Sequence, residues 1–357
     1  MTTFPVVSTD SHVVMPPSEL AARVPAALRD RLPTIRFAED DPEAAARARR
    51  REERLLARMD AEDLVRHRRM HGRDPELRIA DQDLEGVKGE VIFGPLFFDN
   101  SPVPGLDLAV ARAFNDWAAE LFGGYPDRFA VSAALAVADL PAAVAEVYRI
   151  AKLGYRCVNL PSQQPQRPYN RSEYDPLWAA LEETGLVANF HIGTGHTPQV
   201  ERGPGGPVIN YVLFAQGDGP QVVAYLCASG VLRRFPRLKW AVVESGAAWL
   251  AWVLQSMDQI YRKHHMWRRD QDELDLLPSE YFKRQGHACF MDDPVAVRNR
   301  EVTGTHTLLF GTDYPHHEGT FPHTQEVIQR IFAGVPDEET QIIVGRAAAD
   351  LYGFSLS

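Results

Sequence analysis

The chain has 357 residues, 45% hydrophobic and 24% charged, a balance that suits a packed globular protein and excludes a wholly disordered one. Thirty-eight Lys and Arg against 48 Asp and Glu give a net charge of −10, the wrong sign for a protein that covers nucleic acid. Its three cysteines, Cys157, Cys227 and Cys289, form no Cys-x-x-Cys, and no apolar run approaches the ~18 residues of a membrane span, so a disulfide framework, a thiolate zinc site and a membrane anchor are not expected.

The opening MTTFPVVSTDSH has no basic segment ahead of an apolar one, which points to a cytoplasmic, reducing compartment. Short apolar runs rich in β-formers then recur along the chain. Strands are expected near Val6–His12, Glu90–Gly94, Phe129–Ala136, Cys157–Leu160, Val187–Ile192, Trp240–Glu244, Ala288–Met291 and Thr307–Gly311. Most lack polar alternation, as strands buried on both faces should. Amphipathic segments lie between them. Asp139–Leu153 places Val144, Val147, Ile150 and Ala151 on one stripe and stops at Gly154. Asp175-Pro176 is expected to open the next helix as N-cap and first turn, and Gly185 to close it. Eight strands alternating with helices predict an α/β fold, a (β/α)8 TIM barrel formed by residues 1–357 as one domain. A doubly wound open sheet is the runner-up, although no G-x-G-x-x-G follows the first strand.

Two gaps exceed a simple crossover: about eighty residues between the first and second strands, and about fifty between the fifth and sixth. The first holds a helical, Arg-rich insertion, roughly residues 38–78. Arg47–Arg78 contains eleven Arg and no Lys, interleaved with Glu52, Glu53, Asp60, Glu62 and Asp63. Such alternation predicts a solvated helix face laced with weak ion pairs, lying outside the barrel over its mouth or at a subunit contact. A sharper alternative is that one or two of these Arg hold a substrate carboxylate. The second gap contains Gly193–Gly219, which its glycines and prolines mark as an irregular active-site loop.

Chemistry-bearing residues fall at strand ends. Asp10 and His12 close the first strand, His191 the fifth and Glu244 the sixth, while Asp313 follows the eighth. In a (β/α)8 barrel these ends converge on one mouth. Residues two apart on a strand share a side, so Asp10 and His12 can both point inward. Asp10, His12, His191 and Asp313 together offer nitrogen and oxygen donors suited to one divalent ion, Zn²⁺ or alternatively Mn²⁺. His316, just past Asp313, is expected to face the pocket as an acid, base or hydrogen-bonding group, and His196 on the irregular loop is a weaker candidate. Trp249 is read as a packing residue, and Asn115, Asp116 and Trp117 as fixing the helix before the third strand.

Several segments resemble a known family: TDSHVV near the start, RIADQDLEGVKGEVIF at Arg78–Phe93, FNDWAAELFGGYPDRF at Phe114–Phe129 and GYRCVNLP at Gly154–Pro161. NFHIG at Asn189–Gly193, VVESGAAWL at Val242–Leu250, FGTDYPHHEGTFP at Phe310–Pro322 and GRAAADLYGF at Gly345–Phe354 continue the pattern. The chain is similar to the amidohydrolase-related proteins grouped with aminocarboxymuconate-semialdehyde decarboxylase. That resemblance implies a (β/α)8 barrel with one divalent metal at its mouth, in a family of nonoxidative decarboxylases, hydrolases and some hydratases. Position by position, it implies Asp10, His12, His191 and Asp313 as the ligands. Two departures stand out. The first motif is Asp-x-His where the founding decarboxylases have His-x-His or Glu-x-His, and Glu244 stands where they have a His near the scissile group.

A carboxylate at Glu244 would repel an acid substrate, so the leading expectation is a metal-dependent hydrolase of the amidohydrolase superfamily. It would act on a small organic acid, lactone or amide through an activated water, with Asp313 as proton shuttle and His316 and Glu244 assisting. The alternatives are a decarboxylase of an aromatic or enoic acid using the same metal site, and a metal-free binding protein. A small-molecule substrate and a possible homodimer are expected, with neither nucleic acid nor membrane as partner.

Overall fold

Eight strands run parallel in chain order: β1 Val6–His12, β2 Val87–Phe93, β3 Phe129–Ala134, β4 Cys157–Pro161, β5 Val187–His191, β6 Trp240–Val243, β7 Gly286–Phe290 and β8 Leu308–Phe310. The computed structural model describes residues 3–32, 46, 50, 53–94, 101, 103–164, 167–195, 200–264, 266 and 273–356. Each strand pairs with the next, and the chain beyond β8 returns to β1. There the Asp313 N–H donates to the Asp10 carbonyl at 2.9 Å and the His12 N–H to the Tyr314 carbonyl at 2.6 Å. Lower down, the Thr9 hydroxyl donates to the Phe310 carbonyl at 3.2 Å and the Ser8 and Thr312 hydroxyls lie 2.9 Å apart. The fold is a (β/α)8 barrel. Among the described residues, no helix is long and apolar enough to cross a membrane.

The reason these runs form a barrel is visible in their burial. Every residue of β1 is buried, as are those of β5 and β6, because one face meets the barrel interior and the other meets helices. Leu140–Lys152 is typical of the outer layer. Asp139 caps it by accepting from the Ala142 N–H at 3.1 Å, and Ala143, Val147 and Ile150 are buried against the sheet. Side chains the size of Val147 and Ile150 contribute about 1.5–3 kcal/mol each when fully buried. Asn115, on the helix Leu106–Phe122, binds both the N–H and the carbonyl of Ala134 and so ties that helix to β3.

Inside the barrel, Val7, Val91, Ala130, Cys157, Val187, Ala241, Cys289 and Leu309 form one apolar cluster. Tyr352 and Phe354, at the end of the helix Ala347–Tyr352, join it. The Tyr352 hydroxyl donates to Asn189 Oδ1 at 2.7 Å. Asn189 and His191 are two apart on β5, so they share the interior side. The C-terminal helix thus closes one end of the barrel and leaves the ligand-bearing end as the mouth.

Several boundaries differ from the pattern. β2 begins at Val87, before the expected Glu90, because Gly86 (φ 72°) ends the helix Pro75–Glu85 and lets the chain turn at once into the sheet. Lys88, Gly89 and Glu90 have little β-preference; tertiary pairing overrides it. Asp175 is not an N-cap. A 3₁₀ turn at Ser172–Tyr174 precedes the helix Asp175–Thr184, and Asp175 instead pairs with Arg234 at 2.9 Å. The stretch after β5 is not irregular throughout: Gly206–Ile209 and Asn210–Ala215 are helical, and Asp218–Ala228 follows as a full helix.

The insertion lies on the mouth side, although most of 38–52 is outside the described residues. Ala61–Arg69 is a helix with an Asp60/Asp63 capping box. Its Arg66 donates to the Phe321 carbonyl at 2.6 Å and lies 3.4 Å from that of His317, both in the segment after β8. Arg66 also pairs with Glu62, and Arg69 with Asp81, so neither is free to hold a substrate. Arg78 departs furthest from a solvated face. It belongs to the crossover helix Pro75–Glu85 and is 1% exposed.

Gly311 sits where β8 passes β1. A Cβ there would lie 2.7 Å from both the Asp10 Cβ and the Cys289 Sγ. Gly311→Ala should therefore destabilise by about 1–3 kcal/mol, the usual range for overpacking, in urea unfolding. Unchanged stability would show that the two elements are not in close contact.

Candidate metal centre

Asp10 and His12 project from the end of β1 on one side, two residues apart. His191 is the last residue of β5, and its Nδ1 lies 3.0 Å from the Ile192 carbonyl. In the neutral ring that contact keeps the proton on Nδ1 and directs the Nε2 lone pair into the mouth. Glu244 directly follows β6 and Asp313 follows β8. Both adopt left-handed backbone, φ 62° and 52°, the two non-glycine residues among those described that do so. Such conformations cost about 1–3 kcal/mol each and persist where surrounding contacts impose them. Asp293 imposes one, accepting from the Ala247 and Ala248 N–H groups at 3.0 and 2.8 Å just after Glu244. The bond from the Asp313 N–H to the Asp10 carbonyl imposes the other.

These five side chains meet. His12 Nε2 lies 3.3 Å from Asp10 Oδ1, 3.0 Å from Asp313 Oδ1 and 3.7 Å from Glu244 Oε2. His191 Nε2 lies 2.8 Å from Glu244 Oε2 and 3.6 Å from Asp10 Oδ1. Single donor atoms of Asp10, His12, His191 and Glu244 all fall within 4.8 Å of one another, as do those of His12, Glu244, Asp313 and His316. The sequence points Glu244 into the metal pocket, either touching the ion or one contact removed from it; the structure puts its carboxylate among the donor atoms.

The donor set fits a divalent cation. Both oxygens of Asp10 and of Asp313, and Nε2 of His12 and of His191, are buried without any hydrogen-bond partner. Buried polar atoms are normally satisfied, so six orphans at one point indicate a missing partner of high positive charge. The proton equilibria show the same demand. Burial disfavours the His12 imidazolium, but Asp10 and Asp313 outweigh it and raise His12 to about 9. His191 is likewise raised well above its ordinary value, against its burial, by Glu244 and Asp10. Burial works against the Asp10 carboxylate, yet His12 and His191 hold it well below the usual carboxylate range. Glu244 is raised, chiefly by burial, despite its contact with His191.

Around the donors, Phe93 on β2 sets its ring 4.9 Å from that of His191 and 6.3 Å from that of His12. His316 stacks on His12 at 4.0 Å between centroids, and its Nδ1 lies 2.8 Å from Asp313 Oδ1. His196 lies outside the described residues. Trp249 donates its Nε1–H to the Ser245 carbonyl at 2.8 Å, in keeping with a packing role. One residue went unread in the sequence. Tyr211, on the helical stretch after β5, is half-buried. Burial first, then the carboxylates of Glu244, Asp313, Glu318 and Asp10, push its phenol up. Nothing in the spacing of a Gly- and Pro-rich loop singles it out.

Comparison with known proteins supplies the family. The amidohydrolase family model matches residues 103–354, and the chain belongs to that family. A curated relative, the decarboxylase orsB of Emericella nidulans, is 32% identical over 152 residues, 40% of this chain; the match spans 46%, about half, of that protein. Among solved structures, 5-carboxyvanillate decarboxylase LigW from Sphingomonas paucimobilis superposes with a TM-score of 0.68 at 20% identity, covering 99% of this chain and 100% of that one. 5-Carboxyvanillate decarboxylase LigW2 from Novosphingobium aromaticivorans, solved with bound manganese, gives 0.70 at 17% identity, covering 98% and 97%. At these identities the structural likeness is one of fold.

Metal ligation requires neutral imidazoles, so metal uptake at neutral pH must expel protons from His12 and His191. Affinity for the ion should rise with pH through the range near 9 where His12 loses its proton. Calorimetry in two buffers of different ionisation enthalpy should register this proton release. Binding without it would mean that these imidazoles are not ligands.

Proposed function

We propose that the chain is a metal-dependent hydrolase that opens a small lactone or amide. The observation that carries this is the charge of the centre. Asp10, Glu244 and Asp313 converge there, and among the described residues no Arg or Lys pairs with any of them. One divalent ion leaves such a centre net negative, which favours a substrate with a neutral reacting group over one presenting a carboxylate. We assign the ion to Asp10, His12, His191, Glu244 and Asp313. Three carboxylates against two imidazoles move the expected metal from Zn²⁺ towards Mn²⁺.

Bound there, the ion would polarise the scissile carbonyl and lower the pKa of a water. The protein's residues then handle protons and position. Asp313 accepts a proton at the carboxylate and delivers it to the leaving group. His316, 2.8 Å from Asp313 Oδ1, orients that carboxylate. We also place the protein in the cytoplasm, which its three buried, free cysteines support.

A second reading is decarboxylation of an aromatic acid, favoured by the match to the Emericella nidulans decarboxylase. Product analysis separates the two. A panel of lactones, amides and hydroxybenzoates, followed for both acid release and CO₂, should show acid release alone. CO₂ release from a hydroxybenzoate would replace the hydrolase reading with this one.

Two variants test the roles. Asp313→Asn keeps an oxygen donor and removes the base; the rate should fall by about 10²–10⁴-fold, as is typical for loss of general acid–base catalysis. A variant retaining more than about a tenth of the rate would dismiss Asp313 as the shuttle. Glu244→Gln should weaken metal affinity by about 10–100-fold or more. Wild-type metal content and turnover would make Glu244 a structural carboxylate.

A further inference from the structure

The Arg-rich stretch Arg47–Arg78 is expected to form a solvated face, yet its last arginine, Arg78 on the helix Pro75–Glu85, is buried directly behind the metal-binding end of β1. It uses four of its five N–H donors. Nε donates to Glu90 Oε1 at 2.8 Å, and Nη1 donates to the His12 carbonyl at 2.7 Å and to that of Gly72 at 3.1 Å. Nη2 donates to Ser11 Oγ at 3.0 Å. The guanidinium also lies 4.9 Å over the ring of Tyr314, the residue after Asp313. The His12 peptide is consequently held from both sides, its N–H by the Tyr314 carbonyl and its own carbonyl by Arg78.

Two further features show that this contact is built. The β1–β2 register is irregular between Ser8 and Ser11, so the regular strand ladder does not fix the chain through Asp10. In addition, Gly72 has φ 58°, and a Cβ there would sit 2.3 Å from the His12 carbonyl oxygen. Only glycine lets that loop close against the strand end with Arg78 between them.

We propose that Arg78 is a positioning residue for the metal centre: by clamping Ser11 and His12 against the Gly72 loop, it sets how tightly the centre retains its ion. The proposal rests on the reading of this site as a metal centre. The planar guanidinium spans acceptors on three elements at once, which a lysine ammonium cannot do. Groups that orient metal ligands typically alter affinity by about 10–100-fold when removed.

The test is the dissociation constant for Mn²⁺ and for Zn²⁺, measured by chelator competition on the full chain. Arg78→Lys retains a cation for Glu90 and loses the clamp; its affinity should fall about 10–100-fold. Ser11→Ala removes one acceptor while leaving the buried ion pair intact, and should weaken binding in the same direction by less, so the question stays answerable if Arg78→Lys does not fold. Arg128→Met is the structural control. Arg128 anchors the same helix through Gln82 and Asp83, at 2.9 and 2.8 Å, and does not touch β1. It should lower Tm without changing metal affinity. The inference is overturned if Arg78→Lys or Ser11→Ala binds both ions as tightly as the wild type, or if Arg128→Met loses as much affinity as Arg78→Lys. A wild-type chain that binds neither ion overturns the metal centre itself, and this inference with it.

Discussion

Three carboxylates and two imidazoles, buried together with most of their converging atoms unpaired, are the constraint on which this structure turns. Removing a carboxylate from water costs several kcal/mol unless it is paired and hydrogen-bonded. Here three share one point, and among the described residues the oxygens of Asp10 and Asp313 face imidazole nitrogens of the centre without a hydrogen-bond partner outside it. In the protein alone, the imidazoles answer that charge by holding protons they would normally lose near neutral pH. A divalent cation answers it more completely, because one ion accepts lone pairs from the carboxylates and the imidazoles together.

The rest of the fold can be understood as what keeps those groups from separating. Parallel strands fix the spacing of Asp10, His12 and His191 to the pitch of the barrel. Left-handed backbone at Glu244 and Asp313 turns two further carboxylates inward immediately after β6 and β8. Each turn is locked by a specific acceptor, Asp293 in one case and the Asp10 carbonyl in the other. Below, Tyr352 and Phe354 close the interior, so the polar groups lie at one end of a packed core. On the mouth side, Arg66 and Arg78 attach the insertion to the segment after β8 and to β1.

Much of this arrangement can be read from the chain. β1 runs from Val6 to His12 as its pattern indicates, and the two-residue period of a strand puts Asp10 and His12 on one side without further information. His191, Glu244 and Asp313 are legible because a polar residue closing an apolar, doubly buried strand is conspicuous. What stayed hidden depends on distant partners. Glu90 looks like a polar strand residue and Arg78 like one more surface arginine until they bury each other. Glu244 could not be distinguished from a pocket-lining acid, because its 2.8 Å contact with His191 is set by the β5–β6 pairing. Tyr211 lies where glycine and proline conceal a helical stretch. The family match gives a class of enzyme.

Crystals soaked with Mn²⁺ and measured for anomalous scattering at the metal edge address the central claim directly. The account predicts one strong peak bounded by Asp10, His12, His191, Glu244 and Asp313. A map with no peak at the barrel mouth, or with a peak held by other residues, would contradict it.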